Sequence, residues 1–188
     1  MDIVFSVLAL AALLPIFLLA AFAISLESGW PVLFKQTRVG MQAREFGMYK
    51  FRSMVNGAQT AGPYFTNVND TRITRVGRFI RKVRIDELPQ LWTVLKGEMS
   101  FVGPRPERPQ FVAELGKKIP FYAERHVVKP GITGWAQIHG HRGETDTIDK
   151  MQARVEYDLE YLRNWSLGLD LQIIARTIKL VFFDSHAY

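Results

Sequence analysis

The chain has 188 residues, enough for one domain with a real core plus an appendage and too few for two large domains. It contains no Cys, which excludes a disulfide framework, thiolate metal sites and cysteine nucleophiles, and fits a reducing compartment. A net charge of +6 favours a negative partner, and charge alone does not choose among nucleic acid, anionic lipid head groups and phosphorylated substrates.

Residues 3–26 carry no charge. As a straight helix they extend roughly 36 Å, against about 30 Å for a hydrocarbon core. Only Met1 and Asp2 precede them, without a basic stretch, and the apolar run is too long for a cleaved signal. Trp30, Lys35, Arg38 and Arg44 follow, an interfacial aromatic and then cations, which places the C-terminal side in the cytoplasm. Residues 1–30 are therefore expected to be membrane-embedded and residues 31–188 to form a cytoplasmic domain. Pro15 removes one helical hydrogen bond mid-segment. A break there leaves two pieces too short to span, so the segment is expected to be re-entrant, returning to the cytoplasmic face.

Residues 31–54 read as a small hairpin broken at Val39-Gly40. Residues 56–70, rich in Asn, Gly and Thr, read as a mobile loop and a candidate lid. Thr74 caps an expected helix whose Ile73, Val76, Ile80 and Val83 face a core, and Asp86 caps a second that Gly97 ends, with Pro89 in its first turn. Further helices are expected at 107–115, 148–162 and 169–183. The last is very apolar, with Trp165 nearby, and both the membrane surface and the core stay open for it. The fold class is α+β, mostly helical with a small β-hairpin or sheet.

The chemistry concentrates in three places. Arg72, Arg75, Arg78, Arg81 and Arg84 recur every third residue, joined by Lys82, with no acid among them. Such spacing spirals round an α-helix, so some members face only solvent, while the last deliver charge beside Asp86 and Glu87. Adjacent carboxylates at a helix start behind a basic run form a place where phosphate is held and a carboxylate attacks phosphorus, unless Asp86 is merely a cap. In Gly103-Pro104-Arg105-Pro106 two prolines preset the backbone around an arginine, which lowers the entropy cost of aiming its guanidinium at a phosphate. In residues 129–137 two glycines permit close backbone approach next to Trp135 and Gln137, an aromatic and an amide able to stack on and hydrogen-bond a base or sugar. His139 and His141 alternate too closely for a helical metal pair. There is no Walker loop, no G-x-G-x-x-G and no H-E-x-x-H.

Taken together, Tyr49-Lys50-Phe51-Arg52-Ser53-Met54, Arg84-Ile85-Asp86-Glu87-Leu88-Pro89-Gln90, Ser100-Phe101-Val102-Gly103-Pro104-Arg105-Pro106-Glu107 and Lys129-Pro130-Gly131-Ile132-Thr133-Gly134-Trp135-Ala136-Gln137 closely resemble the bacterial sugar transferase family, the monotopic phosphoglycosyl transferases. The resemblance covers nearly the whole chain. It implies that Asp86 attacks the sugar-linked phosphate of a UDP-sugar, that UMP leaves, and that a phosphoaspartyl-sugar then passes its sugar phosphate to undecaprenyl phosphate. Mg²⁺ assists, with Asp86 as its ligand. Glu87 accepts or positions a proton, while Lys50, Arg81, Arg105, Thr133 and Gln137 fall at substrate-binding positions. Implied too are the cytoplasmic face of a bacterial inner membrane, membrane lipid and a second copy of the chain as partners, no nucleic acid, and initiation of exopolysaccharide or O-antigen-type synthesis with glucose or galactose.

Two departures stand out. Leu14-Pro15 replaces the usual Ser-Pro, and residues 139–145 are closer to the exopolysaccharide-initiating hexose transferases than to smaller members with Asn-Gly-Arg. That subgroup often carries extra N-terminal helices and a regulatory domain, so the chain is expected to correspond to the catalytic part of a longer protein. The rival reading is a membrane-tethered basic module for nucleic acid or anionic lipid.

Overall fold

The architecture comes from a computed structural model that describes residues 2–58, 70–143 and 147–183. Most of the expected lid, the stretch 144–145 and the last five residues lie outside the described residues. The chain divides into two compact units, one of residues 1–36 and 48–95, the other of residues 37–47 and 96–188.

The first unit opens with α1 (Asp2–Ser28), an uninterrupted helix with Pro15 inside it. Pro15 therefore does not divide the segment into two helices, contrary to the sequence expectation. The physical reason is that proline removes only one backbone hydrogen bond of the ladder, and the bonds on either side keep the helix continuous. Strands β1 (Leu33–Val39) and β2 (Glu45–Phe51), whose outer parts at residues 37–47 belong to the second unit, pair across a short 3₁₀ turn, Met41–Ala43, and their break falls at the expected Val39-Gly40. Helix α2 (Arg75–Lys82) starts as expected at Thr74, whose hydroxyl accepts from the Gly77 amide at 2.9 Å. Next come a 3₁₀ turn, Ile85–Glu87, and α3 (Gln90–Leu95).

Ala20, Ile24, Val32, Phe51 and Ile80 form the buried centre of this unit, with Phe17, Ala21, Val76 and Ile85 packed around it. The final turns of the apolar helix are thus part of the core that carries Ile85, the neighbour of Asp86. Three members of the motif around β2 tie the same region down. Arg52 donates to the Ser28 carbonyl (2.8 Å) and hydroxyl (2.9 Å) and to the Gly29 carbonyl, closing off the C-terminal end of α1. A guanidinium suits that place, because the last carbonyls of a helix lack intrahelical donors and carry partial negative charge. Lys50 and Ser53 reach instead toward the 3₁₀ turn and α2.

The second unit holds β3 (Ser100–Val102) and β4 (Gly131–Thr133), paired in parallel with Ser100 opposite Gly131 and Val102 opposite Thr133. This pairing and the short α5 (Trp135–Ile138) were not foreseen. Three-residue strands carry too little pattern to register. Around them run α4 (Pro109–Lys118), a 3₁₀ turn Tyr122–His126, α6 (Ile148–Arg163) and α7 (Leu167–Phe183). Ile119, Tyr122, Met151, Val155 and Leu159 form one core; Val102, Tyr161 and Ile173 form a second. Ile173 is wholly buried while Leu167, Leu171 and Ile178 are exposed, so α7 buries one face and leaves an apolar one uncovered.

Candidate active site

Arg84 sits in the left-handed region at φ 59°, ψ 16°, a conformation that costs a non-glycine residue on the order of 1 kcal/mol. It turns the chain out of α2 and into Ile85–Glu87. Asp86 and Glu87 end up buried, 8% and 6% exposed, inside that 3₁₀ turn and not as the N-cap of α3. The capping reading of Asp86 is thereby corrected. Its Oδ1 accepts no hydrogen bond. A buried acceptor without a donor is costly, which marks Asp86 as a residue kept for something other than stability.

Glu87 accepts from Lys50 Nζ at 2.8 Å, and Arg81 Nε donates to Ser53 Oγ at 2.7 Å. Lys50, Arg81, Asp86 and Glu87, four of the residues singled out in sequence, thus share one corner of the first unit. The Asp86 carboxyl is pushed up to about 6, first by burial and then by the Glu87 charge, while Lys50, Arg81 and Arg84 pull it down. Burial and a like charge disfavour ionisation, and an incoming cation or an outgoing proton restores it. An acid-base partner, a free carboxylate oxygen and three cations make a place for phosphoryl transfer.

Arg81 reaches Ser53 because α2 lies close to the end of β2. A Cβ at Gly77 would collide with the Ser53 carbonyl, so only glycine allows the approach. The sequence reading missed both Gly77 and Ser53; the signal available was a lone glycine inside an otherwise sound helix pattern. The basic run separates as the helical spiral requires. Arg81 and Arg84 act on Asp86, Arg72 pairs with Asp70 through its Nε at 2.9 Å, and Arg75, Arg78 and Lys82 are exposed.

Arg105, Thr133 and Gln137 belong to the second unit. Four successive carbonyls around Arg105 are each taken by a donor: Pro104 by the Gly131 amide (3.0 Å), Arg105 by Arg125 Nη2 (2.8 Å), Pro106 by Arg38 Nη1 (3.0 Å) and Glu107 by the Val39 amide (2.9 Å). The backbone under Arg105 is fixed as the two prolines implied. Behind it lies a buried ion network absent from the sequence reading. Arg125 pairs with Asp158 at 2.7 Å, and Arg154 with the Glu107 carboxylate at 2.7 Å. The two-proline loop meets the glycine-rich stretch backbone to backbone: a Cβ at Gly103, Gly131 or Gly134 would strike main-chain atoms of the other segment. Close approach was the expected use of those glycines, and the partner is the chain itself.

Thr133 and Gln137 are engaged in that packing. Thr133 Oγ1 lies 2.6 Å from Thr177 Oγ1, and Gln137 Nε2 donates to the Ile132 carbonyl at 3.2 Å, although Gln137 Oε1 keeps no partner. His139 and His141 stack against Tyr157, and His139 Nδ1 lies 2.9 Å from the Trp135 carbonyl, so they serve packing. His126, held toward the Gly40 carbonyl, is lowered to about 4 by burial and by Arg125. Among the described residues no cluster of three or more His, Cys, Asp or Glu side chains is poised for a metal.

Residues 1–184 match the family described as bacterial sugar transferase. The chain is 47% identical to the UDP-N-acetylgalactosamine-undecaprenyl-phosphate N-acetylgalactosaminephosphotransferase of Aeromonas hydrophila, over 96% of this chain and 42% of that protein. It is 46% identical to the UDP-glucose:undecaprenyl-phosphate glucose-1-phosphate transferase of Escherichia coli K12, over 100% and 40%. With the exopolysaccharide production protein PSS of Rhizobium leguminosarum it shares 44% identity, over 94% and 90%. The chain thus spans about two-fifths of the length of several of its relatives, such as the first two, and nearly all of the third.

Proposed function

Because the chain belongs to the bacterial sugar transferase family, we propose that it moves a hexose-1-phosphate from a UDP-sugar to a polyprenyl phosphate through a covalent Asp86 intermediate. The observation that carries this reading is the buried, hydrogen-bond-free Oδ1 of Asp86 in a corner populated by Lys50, Arg81 and Arg84. Asp86 attacks the sugar-linked phosphorus, the bond from that phosphorus to the bridging oxygen breaks, and UMP leaves with the electron pair. A phosphate oxygen of the lipid then attacks the same phosphorus, and the Asp86 carboxylate is released. Lys50 and Arg81 offset charge on the phosphate oxygens, and Glu87, oriented by Lys50, handles the proton of the lipid phosphate.

The residues fit a magnesium ion: Mg²⁺ sites commonly use one or two carboxylates and complete the shell with substrate phosphates and water, and Asp86 offers an uncommitted oxygen. When bound, the ion neutralises pyrophosphate charge and so improves UMP as a leaving group. Arg105, on its pinned loop in the second unit, is a further proposed phosphate-binding residue, and Thr133 and Gln137 are proposed substrate-binding residues. The names of both relatives cited above for transferase activity carry undecaprenyl phosphate as acceptor, while the sugar differs between them. Undecaprenyl phosphate is accordingly the proposed acceptor and UDP-glucose the first donor to try, with UDP-galactose beside it.

The membrane position is part of the proposal. Toward its C-terminal end α1 packs on Phe51, Val76, Ile80 and Ile85 of its own unit through Phe17, Ala20, Ala21 and Ile24, and α3 packs on it as well. Ser6, near the other end, is fully buried. Both observations support a helix that dips into the cytoplasmic leaflet. The exposed apolar face of α7, with Arg176 and Lys179 on the same helix, supports an interfacial position for it. Initiation of an exopolysaccharide-type product follows from the same reading. The test is UMP release from a panel of UDP-sugars with Mg²⁺, with and without polyprenyl phosphate. Sugar phosphate recovered on the lipid upholds transfer. Sugar phosphate recovered only in water makes the protein a hydrolase, and no UMP from any donor rejects the proposal.

A further inference from the structure

The cations that do not serve Asp86 lie on one face of α2. Arg75, Arg78, Phe79 and Lys82 are spaced i, i+3, i+4 and i+7, which puts them on one side of a helix, and all four are exposed, Phe79 to 61%. Neither Arg78 nor Lys82 pairs with a carboxylate among the described residues, and α2 contains no acid of its own. The opposite face, Val76 and Ile80, packs on Ala20 and Ile24, in the last turns of the apolar helix. Glu27 of that helix accepts from the amides of Arg75 (2.7 Å) and Val76 (2.9 Å) and so fastens the start of α2 to the end of α1.

From this arrangement we infer that the outer face of α2 rests on the bilayer and binds the head groups of anionic phospholipids. The inference rests on the reading of α1 as a membrane helix. If Ala20–Glu27 of α1 lies at the cytoplasmic boundary, a helix packed on those residues lies at head-group depth. There an aromatic ring between cations has a use that water does not give it: the ring enters the acyl boundary while the long cationic side chains extend to the phosphates. Zwitterionic lipid offers the ring the same surroundings without the net attraction, so the charge of the surface decides engagement. Each cation near an anionic surface contributes about fivefold to partitioning.

The absence of Cys permits a direct test with spin labels on single cysteines at Phe79, at Leu18 of α1 and at Glu114, an exposed residue of α4. Full-length protein goes into vesicles of phosphatidylcholine alone or with phosphatidylglycerol, and collisions with oxygen and with a water-soluble nickel chelate report depth. The expected result is a label at 79 that favours oxygen in phosphatidylglycerol vesicles and shifts toward the chelate in phosphatidylcholine. R78Q/K82Q should abolish that difference, a loss of about 30-fold in engagement for two cations, without changing the melting temperature. A label at 79 as aqueous as that at 114 in both lipids, or one unaffected by R78Q/K82Q, overturns the inference. If the label at Leu18 is aqueous as well, the membrane reading of α1 has failed with it; if Leu18 is immersed, only the assignment of α2 has.

Discussion

Asp86 and Glu87 are chemically similar and are given different work by their neighbours. Lys50 orients Glu87 at 2.8 Å, while Oδ1 of Asp86 is left without a donor. Glu87→Gln should therefore keep donor binding and slow turnover by about 10²- to 10⁴-fold, the usual contribution of proton transfer, as UMP release in the presence of lipid acceptor will show. Turnover near the parental rate would leave Glu87 a purely structural partner of Lys50. His126 supplies a test of stability. Its folded pKa, about 4, lies below the ordinary 6.5, so the unfolded chain takes up the proton first. The corresponding stability is present above about pH 6.5 and is lost as pH falls toward 4, and His126→Gln should flatten that part of a melting-temperature profile. At this scale the sequence was most legible where chemistry is local. The acidic pair, Arg81 and Arg105 stood out by type and spacing, and Lys50 through the resemblance of its motif. Arg125, Asp158 and Arg154 did not, because a buried ion pair joins positions whose spacing in sequence carries no periodic signal.

Among the elements, the short ones do most of the positioning. A loop with four consecutive carbonyls bound by donors holds Arg105, and its support depends on Arg125 being neutralised by Asp158. Asp158→Asn leaves a buried guanidinium without its counter-charge. Denaturant unfolding should show a loss of about 3–5 kcal/mol, and Arg105→Lys, which leaves that buried pair intact, should lose less while still impairing transfer, since lysine keeps the charge and loses the planar fork. Equal stability losses for the two variants would contradict the division between support and contact. The crossing of β3 with the glycine-rich stretch makes a second case. Gly131→Ala places a methyl group against main-chain atoms of Gly103 and Thr133 and should cost on the order of 3 kcal/mol. The helices were legible because their apolar periodicity runs over two or more turns, and the hairpin because Val39-Gly40 interrupts two apolar strands. The β3–β4 pair was not, since parallel pairing of three-residue strands is set by backbone fit between glycines distant in sequence.

For the molecule as a whole, what joins the apolar helix to the acidic pair is the first unit's core, where the end of α1, the end of β2 and the residue before Asp86 pack together. The uncharged run was legible as one long apolar element, but its unbroken helical course through Pro15 was not, because a proline removes a single bond of the ladder and the remaining bonds hold the helix together. An α1 confined to the cytoplasmic leaflet predicts that a single cysteine at Ser28 is labelled from the cytoplasmic side, and that one at Asp2 is not labelled from the periplasm, by a reagent that does not cross membranes; periplasmic labelling at position 2 would show a span. The central claim is that Asp86 carries the sugar phosphate between donor and acceptor. The most direct measurement is the mass of the intact protein, and of its peptides, after incubation with UDP-sugar and Mg²⁺ without lipid. The account predicts an added hexose phosphate on the peptide containing Asp86, absent in Asp86→Asn and discharged when polyprenyl phosphate is added. An adduct that survives Asp86→Asn, or transfer to lipid in a single turnover with no adduct at any time, would contradict it.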